Sequence, residues 1–118
     1  MSTLGLVGYG TVASLALEAV AARLDRPLDR LVCCARAAGE ERARALVERF
    51  RDRLAFETVV VTTTEDLIAA RPDVVVEAAG HEAIALVGEA VLAAGIELVV
   101  SSVGAIADDA LRRRLDAA

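Results

Sequence analysis

The sequence predicts an α/β fold of the doubly wound type: a five-stranded parallel sheet in the order 3-2-1-4-5, with helices on both faces. Three observations predict it. Five short apolar runs alternate with segments whose apolar residues recur at helical spacing, a pattern that calls for parallel strands joined by right-handed helical crossovers. The residues are 56% hydrophobic but only 3% aromatic, so the core must be built from Ala, Val and Leu packed between closely spaced layers. A glycine turn stands between the first run and the first helix, at Gly8-Tyr9-Gly10. At 118 residues the chain has room for one domain and one core.

Taken in order, Leu4 to Val7 is the first strand, and Gly10 to Leu24 reads as a helix with Ser14, Glu18 and Asp25 on a polar stripe. Asp25-Arg26-Pro27 breaks that helix, and Leu31 to Ala35 is the second strand. From Glu40 onward, Ala43, Leu46, Val47, Phe50 and Leu54 fall on one helical face, while Arg42, Glu48, Arg49 and Arg51 cover the others. Thr58 to Thr62 is rich in β-branched residues and reads as the third strand. Thr62 with Glu65, or Thr63 with Asp66, forms a capping box opening a short helix that Pro72 ends. Asp73 to Glu77 encloses a valine run typical of a strand buried on both faces. A helix from about His81 to Ala94, closed by Gly95, leads to the fifth strand, Ile96 to Val100. A last helix opens at Asp108 or Asp109. There is no internal repeat or linker. A sixth strand and a second domain are missing from the pattern, so the chain reads as a fragment of a longer protein.

Composition excludes several functions. The formal net charge of −5 opposes binding to a nucleic-acid backbone, which needs a basic face. The longest basic run, Arg112 to Arg114, lies near a helix end, where positive charge complements the helix dipole. The apolar runs are too short to span a bilayer, and no signal segment opens the chain, so a cytoplasmic protein is expected. Cys33 and Cys34 are neighbours within a strand and should point to opposite faces, unsuited to a mutual disulfide; metal-type spacing is absent.

Gly8-Tyr9-Gly10-Thr11-Val12-Ala13 fits G-x-G-x-x-A and lies between the first strand and the first helix, as a Rossmann-type dinucleotide site requires. Gly8 permits the tight turn, and Gly10 lets the backbone approach a pyrophosphate. Ala13 lets the helix pack closely on the sheet. Free N–H groups around Thr11 and Val12 would donate to phosphate oxygens. Such domains often carry an acidic residue at the end of the second strand to hold the adenosine ribose, but here Cys33-Cys34-Ala35-Arg36 brings no carboxylate. Arg36 is suited to a 2′-phosphate or to stacking on adenine. The expected cofactor is therefore NAD or NADP.

Two further segments, Glu77-Ala78-Ala79-Gly80-His81 after strand four and Ser102-Val103-Gly104-Ala105 after strand five, resemble the aspartate dehydrogenase family over essentially the whole chain. The chain is more distantly similar to homoserine dehydrogenases, whose usual segment after strand five differs. The resemblance implies a coenzyme domain, spanning residues 1–118, of an enzyme that interconverts L-aspartate and iminoaspartate. It also implies a separate C-terminal substrate domain that this chain lacks, and a homo-oligomeric parent. Ligands of open α/β sheets lie beyond the carboxyl ends of the strands. Ala79 and Gly80 are thus expected at the nicotinamide ribose, and Ser102, Val103 and Gly104 at the carboxamide or ring.

His81 is the only histidine. In the family the histidine proposed to act in catalysis comes from the substrate domain, so His81 is read as a helix cap or cleft residue, and no catalytic or metal-binding residue is assigned. Glu77 is left as a structural or ribose partner. Competing readings are an NAD(P)-sensing regulatory module, the coenzyme domain of a homoserine-dehydrogenase-like oxidoreductase, and a scaffold that binds only protein. Intact Gly8, Gly10 and Ala13 count against the last.

Overall fold

The computed structural model describes residues 2–79 and 87–100. Five parallel strands, β1 (Thr3–Val7), β2 (Leu28–Cys34), β3 (Ala55–Val61), β4 (Val74–Glu77) and β5 (Glu97–Val100), form one sheet in the order β3-β2-β1-β4-β5. The helices are α1 (Thr11–Arg23), α2 (Glu40–Arg49), α3 (Thr64–Ala69) and α4 (Glu89–Ala93). A short 3-10 turn, Ala37–Gly39, precedes α2. The expected strand order holds, and so does the placement of helices on both faces.

Two hydrophobic clusters, one on each face, make this layering concrete. Alternate side chains of a strand point to opposite sides, so Leu4, Leu6, Leu31 and Cys33 meet Ala13 and Leu17 of α1 and Ala43, Leu46 and Val47 of α2. Val7, Val32, Cys34 and Val75 meet Leu67 of α3 and Val91 of α4. Cys33 and Cys34 therefore lie in different clusters, both as free thiols.

The element boundaries differ from the sequence reading in informative places. Strand β2 begins at Leu28, three residues before the apolar run, because the backbone pairs there: the Leu28 N–H donates to the Leu54 carbonyl at 2.7 Å. Its polar residues are anchored locally. The Asp29 carboxylate accepts the Ser2 N–H at 2.7 Å, and the Arg30 guanidinium donates to the Ala70 carbonyl at 2.6 Å. Strand β3 likewise starts at Ala55, opposite Leu28, with Phe56 and Glu57 exposed. Helix α2 stops at Arg49, and Asp52 turns the chain with a φ of 66°. Leu54, although at helical spacing, reaches the core from this turn, where its N–H donates to the Phe50 carbonyl at 2.9 Å. Of the two capping boxes, Thr63 with Asp66 is used: the Thr63 hydroxyl accepts the Asp66 N–H at 3.1 Å. The helix expected after Asp108 lies outside the described residues.

Gly5 sits where α3 comes down on the middle of the sheet. A Cβ there would stand 2.9 Å from a Val75 methyl, 3.2 Å from Leu67 and 3.3 Å from Pro72. A small-to-large change in a packed core costs about 1–3 kcal/mol. Gly5→Ala is expected to lower unfolding stability within that range, read from the urea midpoint at unchanged slope; a midpoint equal to wild type would show that α3 is free to move outward.

Candidate functional site: the glycine turn at the sheet edge

Strand order reverses between β1 and β4, and the crevice at their carboxyl ends is where open α/β sheets hold ligands. Gly8 closes β1 there with a φ of 113°, a conformation L side chains rarely adopt. A Cβ on Gly8 would lie 2.9 Å from the Ala78 carbonyl group and from the Ala79 nitrogen, so the ends of β1 and β4 touch through its missing side chain. On the other flank the Gly8 N–H donates to the Cys34 carbonyl at 3.2 Å, and the Cys33 thiol donates to the Gly8 carbonyl at 3.3 Å.

Gly10 plays a different part. It is the residue before α1, has a φ of −93°, and a Cβ there would meet nothing within 4 Å. Packing does not require its missing Cβ. The start of α1 is also electrostatically bare. The first turns of α2 and α3 each carry two carboxylates, Glu40 and Glu41, and Glu65 and Asp66, whereas that of α1 carries none and has no side-chain cap. Helix N-termini favour negative charge and leave N–H groups unsatisfied by the helix itself. An anion at Thr11 and Val12 would supply what the sequence omits. Ala13 is fully buried against the sheet, which fixes the helix close to the turn.

The structure gathers Gly8, Gly10, Thr11, Val12 and Ala79 around this edge, Val12 with an exposed side chain. Arg36 stands exposed just beyond β2, as the residue that opens the 3-10 turn. Gly80, His81, Ser102, Val103 and Gly104 lie outside the described residues. Among the described residues no group of three His, Cys, Asp or Glu side chains could hold a metal ion.

Glu77, expected as a structural or ribose partner, is almost wholly buried, and its Oε2 accepts the Ala79 N–H at 2.8 Å. It shapes the backbone that faces Gly8. Tyr9 packs its ring over Gly39, where a Cβ would collide with it, and so joins the glycine turn to the loop after β2. Nothing in the spacing of Tyr9 and Gly39 signals that contact. Glu77 had a visible signal, a carboxylate closing a run of valines buried on the sheet.

Burial pushes the Cys33 thiol up to about 12, with the neighbouring Cys34 adding to the shift. Cys34 is also raised, by burial first and then by Asp66 and Glu65. Both are held as thiols and are poor nucleophiles. Cys33 serves as a hydrogen-bond donor that ties β2 to the turn.

Comparison with known proteins adds the family context. The model of the family described as homoserine dehydrogenase, NAD binding domain, matches residues 8–118. The chain is 43% identical to L-aspartate dehydrogenase 1 of Bordetella pertussis over 111 residues, covering 94% of this chain and 38% of that protein. It is 34% identical to the L-aspartate dehydrogenase of Ralstonia nicotianae over 118 residues, covering 100% of this chain and 41% of the relative. A shorter stretch of 52 residues is 60% identical to L-aspartate dehydrogenase 2 of Bordetella pertussis. The chain thus spans about two fifths of the length of the first two relatives.

The thiols make the site's integrity measurable. Cys33 ionises near 9.0 when unshifted and near 12 in the folded chain, so its contribution to stability is complete below about pH 9 and is lost as pH rises toward 12. Unfolding midpoints should fall across that window in wild type and fall less in Cys33→Ser. At pH 8 a thiol reagent should label neither cysteine until denaturant is added; rapid labelling of the native chain would contradict the buried placement.

Proposed function

Because the chain belongs to the homoserine dehydrogenase NAD-binding domain family, we propose that it is the coenzyme-holding domain, residues 1–118, of an enzyme that oxidises L-aspartate to iminoaspartate with NAD or NADP. The observation that carries the coenzyme reading is the bare start of α1 behind Gly10, at the point where strand order reverses. Support for the substrate comes from the L-aspartate dehydrogenases it is similar to. A substrate domain would occupy the part of those relatives beyond the matched region.

The residues present fit a dinucleotide. Gly10 leaves the space of a Cβ open where a pyrophosphate would approach, and the N–H groups of Thr11 and Val12 at the helix start would hold its oxygens. Gly8 and Ala79, kept in contact by the Glu77 carboxylate, would support the ribose on the nicotinamide side. On sequence grounds Gly80, His81, Ser102, Val103 and Gly104 extend that side. Arg36, at the end of β2, would face the adenosine ribose. When bound, the nicotinamide supplies the hydride acceptor; the domain's own work is to bind and orient it. No helix of the described residues is long and apolar enough to cross a membrane. A cytoplasmic, homo-oligomeric parent completes the proposal.

Three measurements test it. Calorimetry with the 118-residue chain should show saturable binding of NAD(H) or NADP(H), while a longer protein containing this chain should reduce the coenzyme with L-aspartate and the chain alone should not. Gly10→Val should fold with a loss of about 1 kcal/mol or less, since Val is a poorer residue than Gly before a helix. Its binding should nonetheless fall by tenfold or more, because the side chain fills the approach. Unimpaired binding in a folded Gly10→Val chain would sink the assignment. Arg36→Asp should move preference toward NAD: it removes a guanidinium that can pair with a 2′-phosphate and substitutes a charge that repels it. The ratio of the two dissociation constants is expected to change by about tenfold, equivalent to 1.4 kcal/mol; an unchanged ratio would show that Arg36 points away from the ribose.

A further inference from the structure

Strand β4 leaves the sheet on an acidic residue. Three valines, Val74 to Val76, are followed by Glu77, which lies in register between Val7 of β1 and Val100 of β5. Glu77 is 1% exposed and is the one acidic side chain buried among the described residues. An apolar side chain in that place would continue the valine run at lower cost, because burying a carboxylate forfeits its hydration. The contribution of Glu77 therefore lies in what it holds.

It holds the backbone two residues ahead of it. The Ala78 N–H still belongs to the sheet, donating to the Val7 carbonyl at 2.8 Å, whereas the next donor, that of Ala79, turns to the Glu77 Oε2 at 2.8 Å. In a planar trans peptide the carbonyl of one residue and the N–H of the next point opposite ways, so anchoring the Ala79 N–H also fixes the Ala78 carbonyl. That peptide is the one that meets Gly8: its carbon, oxygen and nitrogen are the three atoms that a Cβ there would reach at 2.9 Å. Over the same short stretch the chain passes from buried Glu77 to exposed Ala79. One peptide plane is thus set by the carboxylate at the point where β4 emerges at the crevice, while Thr11 and Val12 belong to a separate element, the start of α1.

We propose that Glu77 is a positioning residue for the second ribose of a dinucleotide, the one beyond the pyrophosphate, and that it acts only through the peptide between Ala78 and Ala79. This role rests on the coenzyme reading above and divides the grip on the ligand in two. The pyrophosphate part, at Gly10, Thr11 and Val12, is independent of Glu77; the ribose part depends on it. Because the side chain serves as an acceptor for a backbone N–H, the amide oxygen of Gln can take its place and a hydrocarbon cannot.

The test titrates the full chain as wild type, Glu77→Gln and Glu77→Leu with ADP, ADP-ribose and NAD, followed by calorimetry. ADP ends at the pyrophosphate, ADP-ribose adds the second ribose, and NAD adds the ring. In Glu77→Leu the affinity for ADP-ribose and NAD is expected to fall about tenfold, the scale of one lost hydrogen bond, with ADP unchanged. Glu77→Gln should match wild type for all three. Should the leucine variant not fold, magnetic resonance of wild type decides: the Ala79 amide and Glu77 carboxyl signals should move with ADP-ribose and NAD and stay in place with ADP, while the Thr11 and Val12 amides move with all three. Equal losses for the three ligands in Glu77→Leu, or none, would overturn the positioning role and leave the coenzyme reading standing, as would Ala79 and Glu77 signals that respond to ADP as they do to ADP-ribose. A loss in Glu77→Gln as large as in Glu77→Leu would overturn the acceptor role. Wild type that takes up none of the three would remove the coenzyme reading itself, and this role with it.

Discussion

Everything at the carboxyl edge of the sheet depends on there being no Cβ at residue 8. The end of β4 lies against the end of β1 at a distance that only hydrogen can fill, and a positive φ turns the chain away from the strand at the same point. From that one residue the backbone is tied to β2 in both directions, by the Gly8 N–H and by the Cys33 thiol on its carbonyl. Three strands are thus registered on a single turn. The Glu77 carboxylate completes the arrangement by holding the Ala79 N–H, so the surface that meets Gly8 is itself fixed by a buried polar group. A buried carboxylate is costly unless it is engaged, and the backbone donor offsets part of that cost.

The helices show where stability has been given up. Both α2 and α3 follow the electrostatic rule for helix starts, and α3 adds the Thr63 cap. Helix α1 ignores the rule at its N-terminus, with a glycine before it and no acid in its first turn, although it is the longest helix among the described residues and packs Ala13 and Leu17 against the centre of the sheet. Burial of one face holds it in place regardless of its uncapped end. That combination, a helix secured by its core contacts and left unfinished at one end, is how a fold can present unsatisfied N–H groups without losing the helix.

Most of the fold was legible because it rests on period. The runs around Leu6, Val32, Val60, Val75 and Val99 are apolar on a strand scale, and the segments between them are apolar on a helical one. What period could not register were the strand ends. Leu28 to Arg30 and Ala55 to Glu57 are paired by backbone bonds, while the side chains of Asp29, Arg30, Phe56 and Glu57 are polar or exposed and break the apolar run. Leu54 imitated a helical position because a tight turn through Asp52 returns it to the same core. At the turn, the packing roles of Gly8 and Ala13 were legible because their requirement is a lack of bulk in one place of a known chain path. The contact of Tyr9 with Gly39 was not, since it depends on how two loops approach one another.

The position of Gly8 also divides the labour in the proposed function. Strand β2, on one side of it, leads to Arg36; strand β4, on the other, leads to Ala79. A dinucleotide laid across the turn would have its adenosine end governed by the first half of the chain and its nicotinamide end by the second. Choice between phosphorylated and unphosphorylated coenzyme would then rest on charge in a surface loop, remote from the residues that meet the reacting ring. Substitutions on the adenosine side could change coenzyme preference without touching the buried Glu77, Ala78 and Gly8 contacts on which the turn depends, because those contacts lie beyond β1 on the opposite flank. The two properties are separable for a structural reason: the only element they share is a residue whose role is to have no side chain.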